Sequence, residues 1–146
     1  MKFLIPLLLA FSLVTGAALA QDREPTPEER AYKFRTSLFQ TFAWKYGRLA
    51  TAKAQGDGDA FQKHAADLGY LATMLEEGFA INSSLPEGTA AKPEIWEDFD
   101  TFKEKAGVLR AAAADLQQEG AMSSFDAKEF GSQKCGGCHR KFRVKK

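Results

Sequence analysis

Apolar residues recur along this chain at intervals of three and four, with no sustained alternation of two, and that rhythm predicts helices alone. Four segments carry it. The first covers residues 26–54 and sets Phe34, Leu38, Phe42 and Leu49 on one stripe. Phe39, Trp44 and Tyr46 lie off that stripe, so this helix has apolar surface for a second burial partner, a cofactor or another subunit. The second segment, residues 59–79, aligns Phe61, Ala65, Leu68, Ala72, Leu75 and Phe79. A third starts near Lys92 and Pro93 and runs a seam through Ile95, Phe99, Phe102, Ala106, Leu109, Ala113 and Leu116. The last begins around Ser123 or Ser124 and continues to the tail.

Turn chemistry punctuates these segments. Thr26 is a plausible N-cap, Pro27 suits the first helical position, and Glu28 and Glu29 complement the positive end of the helix dipole. Gly56-Asp57-Gly58-Asp59 divides the first helix from the second, and Gly120 suits the end of the third. Residues 82–89 read as a longer loop within one domain. The expected fold is all-α, an antiparallel four-helix bundle.

The amino terminus stands apart from this pattern. Lys2, an apolar run over residues 3–13 and the small-residue sequence Ala18-Leu19-Ala20 form a cleavable secretory leader over residues 1–20. The run is too short for a convincing membrane span, so residues 21–146 are expected to be a single soluble domain in the periplasm. Loss of Lys2 leaves acidic and basic side chains in balance, and no global charge bias points to nucleic acid. The basic tail, residues 139–146, suits the negative end of a helix dipole.

The chemistry is concentrated in Cys135-Gly136-Gly137-Cys138-His139. Cys-x-x-Cys-His is the attachment signal for c-type haem: each thiol adds to one vinyl group, and the histidine can supply a nitrogen to the iron. On a helix, Cys135, Cys138, His139 and Phe142 fall at i, i+3, i+4 and i+7 and share one face. A disulfide between these cysteines would close a very small loop and staple little. A structural zinc would need about four ligands, and His64 is the one further histidine or cysteine. A thiol–disulfide oxidoreductase would place such a motif after a strand, and no strand is expected here.

In several further pieces the chain resembles the cytochrome c′ family, periplasmic four-helix c-type cytochromes. Phe34-Arg35-x-Ser37 and Tyr46-Gly47-Arg48 lie on the first helix, Lys92-Pro93-Glu94-Ile95-Trp96 opens the third, and Phe102-Lys103 follows at the family spacing. The haem motif sits on the last helix. The resemblance implies one haem c held by Cys135 and Cys138 on the C-terminal helix, with His139 as the iron ligand. It implies Arg143 near the same face of the haem and Arg35 near the propionates. Phe39, or its neighbour Leu38, falls where the family places an apolar side chain over the other face. Leu85 and Trp96 are candidates for packing in the pocket. Arg35 and Arg143 could otherwise be solvated charges, and Trp96 a helix-start packing residue.

Function then turns on the sixth iron position. Low-spin relatives with this bundle use a methionine from the first helix, and residues 26–54 contain neither Met nor His. Met74 and Met122 read as packing residues, and His64 as a surface one. The expectation is a five-coordinate iron under a crowded apolar lid, suited to nitric oxide or carbon monoxide. That makes the chain a binding protein rather than an enzyme, with nitric oxide sequestration or detoxification as its use. An electron carrier serving a periplasmic redox partner is the alternative. Many family members form homodimers through the first two helices, which the aromatic surplus of helix one favours.

Overall fold

The computed structural model describes residues 23–84 and 88–145; the leader and Leu85 lie outside the described residues. The first helix, α1 (Pro27–Gln55), starts as its sequence requires. Thr26 Oγ1 accepts from the Glu29 backbone N–H at 3.3 Å, and the Glu29 carboxylate accepts from the Thr26 N–H at 2.7 Å. This reciprocal cap satisfies two donors that the first turn would leave open. Gly56 ends the helix at φ 67°, a left-handed conformation that costs glycine little. Asp57 then caps α2 (Gly58–Thr73), and the two helices pack side by side.

Three predicted helices prove to be jointed. The second stops at Thr73 and gives way to a tighter 3-10 turn, Glu77–Phe79. That turn sends Phe79 into a separate apolar cluster with Ile95, Phe102 and Phe142. The third is broken at Asp98, whose backbone leaves the helical region at φ −132°, ψ 58°. Its carboxylate accepts from the Thr101 N–H and so starts a new helix. The short α3 (Glu94–Glu97) and long α4 (Phe99–Asp115) still share the expected seam, with Ile95, Phe102, Ala106, Leu109, Ala113 and Leu116 buried and Phe99 half-buried.

The last helix begins later than Ser123 or Ser124. Those serines lie in a single turn, α5 (Ala121–Ser124), where their hydroxyls donate back to Gly120 and Ala121 carbonyls. Asp126 is the true cap of α6 (Ala127–Phe130), accepting from the Glu129 N–H at 2.7 Å. A π turn over Gly131–Cys135 follows, and then α7 (Gly136–Phe142). The helix does not reach the tail: Val144 donates to the Ala90 carbonyl and Lys92 to that of Phe142, an antiparallel bridge that pins Arg143 to Ala91.

The result is an all-α antiparallel four-helix bundle whose long members are α1, α2, α4 and the composite α6–α7. Its core is divided. A larger cluster includes Leu38, Phe42, Leu49, Phe61, Leu68, Leu75, Leu109 and Phe130, and the smaller one gathers around Phe79 and Phe102. Phe39 packs against both. Phe34, expected on the core stripe, is instead 38% exposed.

His64 is half-buried on α2, and its Nδ1 has no hydrogen-bond partner. Burial, reinforced by Lys45, Arg48 and Lys63, pushes its pKa below the ordinary histidine value; Asp67, 3.7 Å away and itself paired with Lys45 at 2.6 Å, opposes the shift. The fold therefore prefers neutral imidazole. Its contribution is present above the unfolded value of about 6.5 and is lost as pH falls. Urea midpoints taken between about pH 8 and pH 5 should fall less steeply in His64→Gln than in the native protein.

Candidate functional site: an apolar cavity at the Cys-x-x-Cys-His helix

Asp126, α6 and the π turn together deliver the carboxyl-terminal motif to the inside of the bundle. Cys135 occupies the junction where α7 begins, and Cys138, His139 and Phe142 follow within the helix. All four line one cavity, so the shared face expected from their spacing is present. No disulfide joins the two cysteines, and burial pushes both thiol pKa values up. For Cys138 the positive charge of Lys105 opposes that rise. Desolvation by its surroundings, with the nearby Arg143 cation, pushes His139 down, toward the neutral form that ligates iron.

The cavity has a volume of about 600 Å³. That is within the span of roughly 300–1,000 Å³ typical of cofactor pockets. It lies between the two apolar clusters, touching Phe42, Leu75, Ala106 and Leu109 of one and Phe79, Ile95, Phe102 and Phe142 of the other. A flat apolar group bearing two reactive substituents would find both thiols at one wall and hydrocarbon on the others.

Arg35 marks the polar end. It is 4% exposed, yet among the described residues it meets no carboxylate. Its guanidinium donates to the Ser83 hydroxyl, to the Ser83 carbonyl at 3.1 Å and to Thr89 Oγ1 at 3.2 Å. Tyr32, Phe79 and Trp96 rings surround it at 5.4, 5.0 and 5.7 Å from their centroids. Burial lowers its pKa, as expected for a cation taken out of water. Neutral acceptors and ring faces offset only part of that cost, and an anionic group on a bound cofactor would complete the balance. Haem c, apolar across its ring and carrying two propionates, fits this combination.

Of the residues singled out in the sequence, Arg35, Phe39, Cys135, Cys138, His139 and Arg143 converge on the cavity. Leu38 does not. It points into the larger core at 5% exposure, so of these two neighbours Phe39 is the one on the wall. Trp96 also lies off the wall: its indole N–H donates to the Phe79 carbonyl at 2.9 Å, and its ring supports Arg35 from behind. His64, Met74 and Met122 do not line the cavity.

A family profile described as Cytochrome C′ matches residues 30–143. The chain belongs to the cytochrome c′ family. It is 32% identical to cytochrome c-554 of Cereibacter sphaeroides, over 95% of each chain. The solved cytochrome c′ of Rhodobacter sphaeroides is similar at a TM-score of 0.69 and 31% identity, covering 83% of this chain and 100% of that one. A ferrous variant of Alcaligenes xylosoxidans cytochrome c′, solved with nitric oxide bound, gives 0.66 and 26%, over 84% and 100%. As a cytochrome c′, the protein is a c-type haem protein, and its two cysteines are consistent with covalent attachment.

Sequence reading missed part of this cytochrome's wall. Tyr32, Thr36 and Ala43 line the cavity with Phe39 and Tyr46, which the sequence had already set off the core stripe, at four-three-four-three spacing along α1. The stripe was legible at those two aromatic residues, and its polar and small members hid the rest from a search for apolar periods. Lys105 was missed because it interrupts an otherwise apolar seam. Ser83 gave no signal at all, since only tertiary contact places its hydroxyl on Arg35. Replacing it tests the buried cation: Ser83→Ala should cost about 1.5–3 kcal/mol, the worth of a hydrogen bond to a charged group, read as a lowered urea midpoint.

Proposed function

We propose that this cytochrome carries one haem c through Cys135 and Cys138, with His139 as its iron ligand, and reversibly binds nitric oxide or carbon monoxide. Sequestration or detoxification of nitric oxide is the use we infer. The observation that carries the reading is the wall contributed by α1. Phe39 stands there with Phe79 packed edge-on to it at 6.1 Å, and among the described residues neither a methionine nor a second histidine lines the cavity. When bound, haem c would supply an iron able to take up a small diatomic gas, with His139 as the residue that would hold it.

The chain's own residues then define what can enter. Phe39, Phe42 and Ala43 bring no side-chain hydrogen-bond donor to the wall, and Gln40 is the one amide side chain lining it among the described residues. Thr36, the nearest hydroxyl along that stripe, is already donating to the Tyr32 carbonyl at 2.8 Å. Arg35 would hold the propionate edge, and Arg143, kept beside His139 by the bridge to Ala91, would hold positive charge on the other side. The nitric oxide complex of the Alcaligenes relative supports the same class of ligand here.

Electron transfer is the second reading. Its support is the positive charge on the cavity lining, Lys105 near Cys138 and Arg143 near the exposed His139, which would suit an acidic redox partner. The leader would export the chain to the periplasm. Among the described residues no helix is long and apolar enough to cross a membrane. Trp44 and Tyr70, 67% and 68% exposed on α1 and α2, would supply a face for a second copy in a homodimer.

Absorption spectra decide between the two readings. The ferrous protein should show a five-coordinate high-spin Soret band that shifts on adding carbon monoxide or nitric oxide. Phe39→Ala should tighten carbon monoxide binding about tenfold, equivalent to about 1.4 kcal/mol of relieved crowding. A six-coordinate low-spin resting iron, indifferent to both gases, would establish the electron carrier instead.

A further inference from the structure

We propose that Tyr46 is a positioning residue for haem attachment: it clamps the π turn so that Cys135 reaches the cavity together with Cys138 and His139. This rests on the reading that the two cysteines carry the haem. Tyr46 comes from α1, yet its contacts lie at the far end of the sequence. Its hydroxyl donates to the carbonyl of Ala127, the first residue of α6, and its ring stacks on Phe130 at 6.1 Å and 27°. Phe130 immediately precedes the π turn.

Gly131 opens that turn, and a Cβ there would stand 2.9 Å from the Tyr46 hydroxyl. The glycine is therefore matched to the phenol of this chain. The downstream end is held separately, for Arg140 donates to the Ser132 carbonyl at 3.1 Å and ties α7 back across the turn. A π turn is a rare interruption of helical winding, frequent at functional sites, and these contacts hold it from both ends. Released, the segment would relax toward ordinary winding. One residue of helical phase is about 100° of rotation, enough to turn Cys135 away from the face it shares with Cys138.

The hydroxyl and the glycine are separable by mutation. In haem-loaded protein from periplasmic expression, Tyr46→Phe should leave a fraction of chains attached through Cys138 alone. Alkylation of a free Cys135 thiol and a red-shifted pyridine haemochrome band would report that fraction. Gly131→Ala should enlarge it, and adding Tyr46→Phe to Gly131→Ala should reduce it again, because the obstructing oxygen is gone. A Tyr46→Phe protein that melts lower but keeps both thioether bonds and an unshifted iron–histidine Raman band overturns the inference and leaves Tyr46 merely structural. If Tyr46→Phe fails to accumulate, double attachment in Gly131→Ala overturns it equally. A native protein lacking covalent haem would instead refute the attachment reading on which this rests.

Discussion

Between Leu75, Ala106 and Leu109 on one side and Phe79, Ile95 and Phe102 on the other lies an apolar space of about 600 Å³ that no side chain fills. Protein interiors are close-packed, so the walls of such a space must be shaped to the flat apolar group they would hold. The joints in the helices shape those walls. The 3-10 turn after α2 swings Phe79 to the far wall, and the break at Asp98 lets Ile95 and Phe102 reach the same cluster from two helices.

The cavity's polarity is arranged as economically as its shape. Arg35 has its charge buried at one end, its cost only partly offset by Ser83, Thr89 and three aromatic faces, while the cysteine pair and His139 occupy the wall built by the last helix. Hydrocarbon lies between. A molecule with anionic groups along one edge and a flat apolar body meets complementary chemistry at every wall. The family to which the chain belongs supplies that molecule as haem c.

Contacts between the first and last helices then tie the reactive end to the rest of the bundle. Tyr46 bonds to Ala127 and stacks on Phe130, and Lys53 donates to the Met122 and Ser123 carbonyls at 2.6 and 2.7 Å. Beyond α7 the bridge between Ala91 and Arg143 closes the chain against the loop before α3. The motif is thus held from both sides by elements far from it in sequence.

Local rules were enough for much of this. Thr26, Pro27 and Glu29 announce α1 because a helix start is satisfied by side chains within three residues of it. The α4 seam is legible because burial repeats with the helical period, and Cys-x-x-Cys-His because both thiols and the imidazole belong to two adjacent turns. The choice of Phe39 over Leu38 was partly legible: periodicity set Leu38 on the core stripe and Phe39 off it, but only the orientation of α1 within the bundle sends Phe39 to the cavity rather than to another subunit. Asp98 was read as helix interior because its capping bond competes with helical winding on nearly equal terms, and tertiary burial of Phe79, Ile95 and Phe102 decides it. The amino-acid sequence by itself determined the helices, the attachment motif and the family. Tertiary structure alone decided where the helices bend, which faces meet the cavity and how Arg35 is satisfied, because those depend on contacts between residues tens of positions apart.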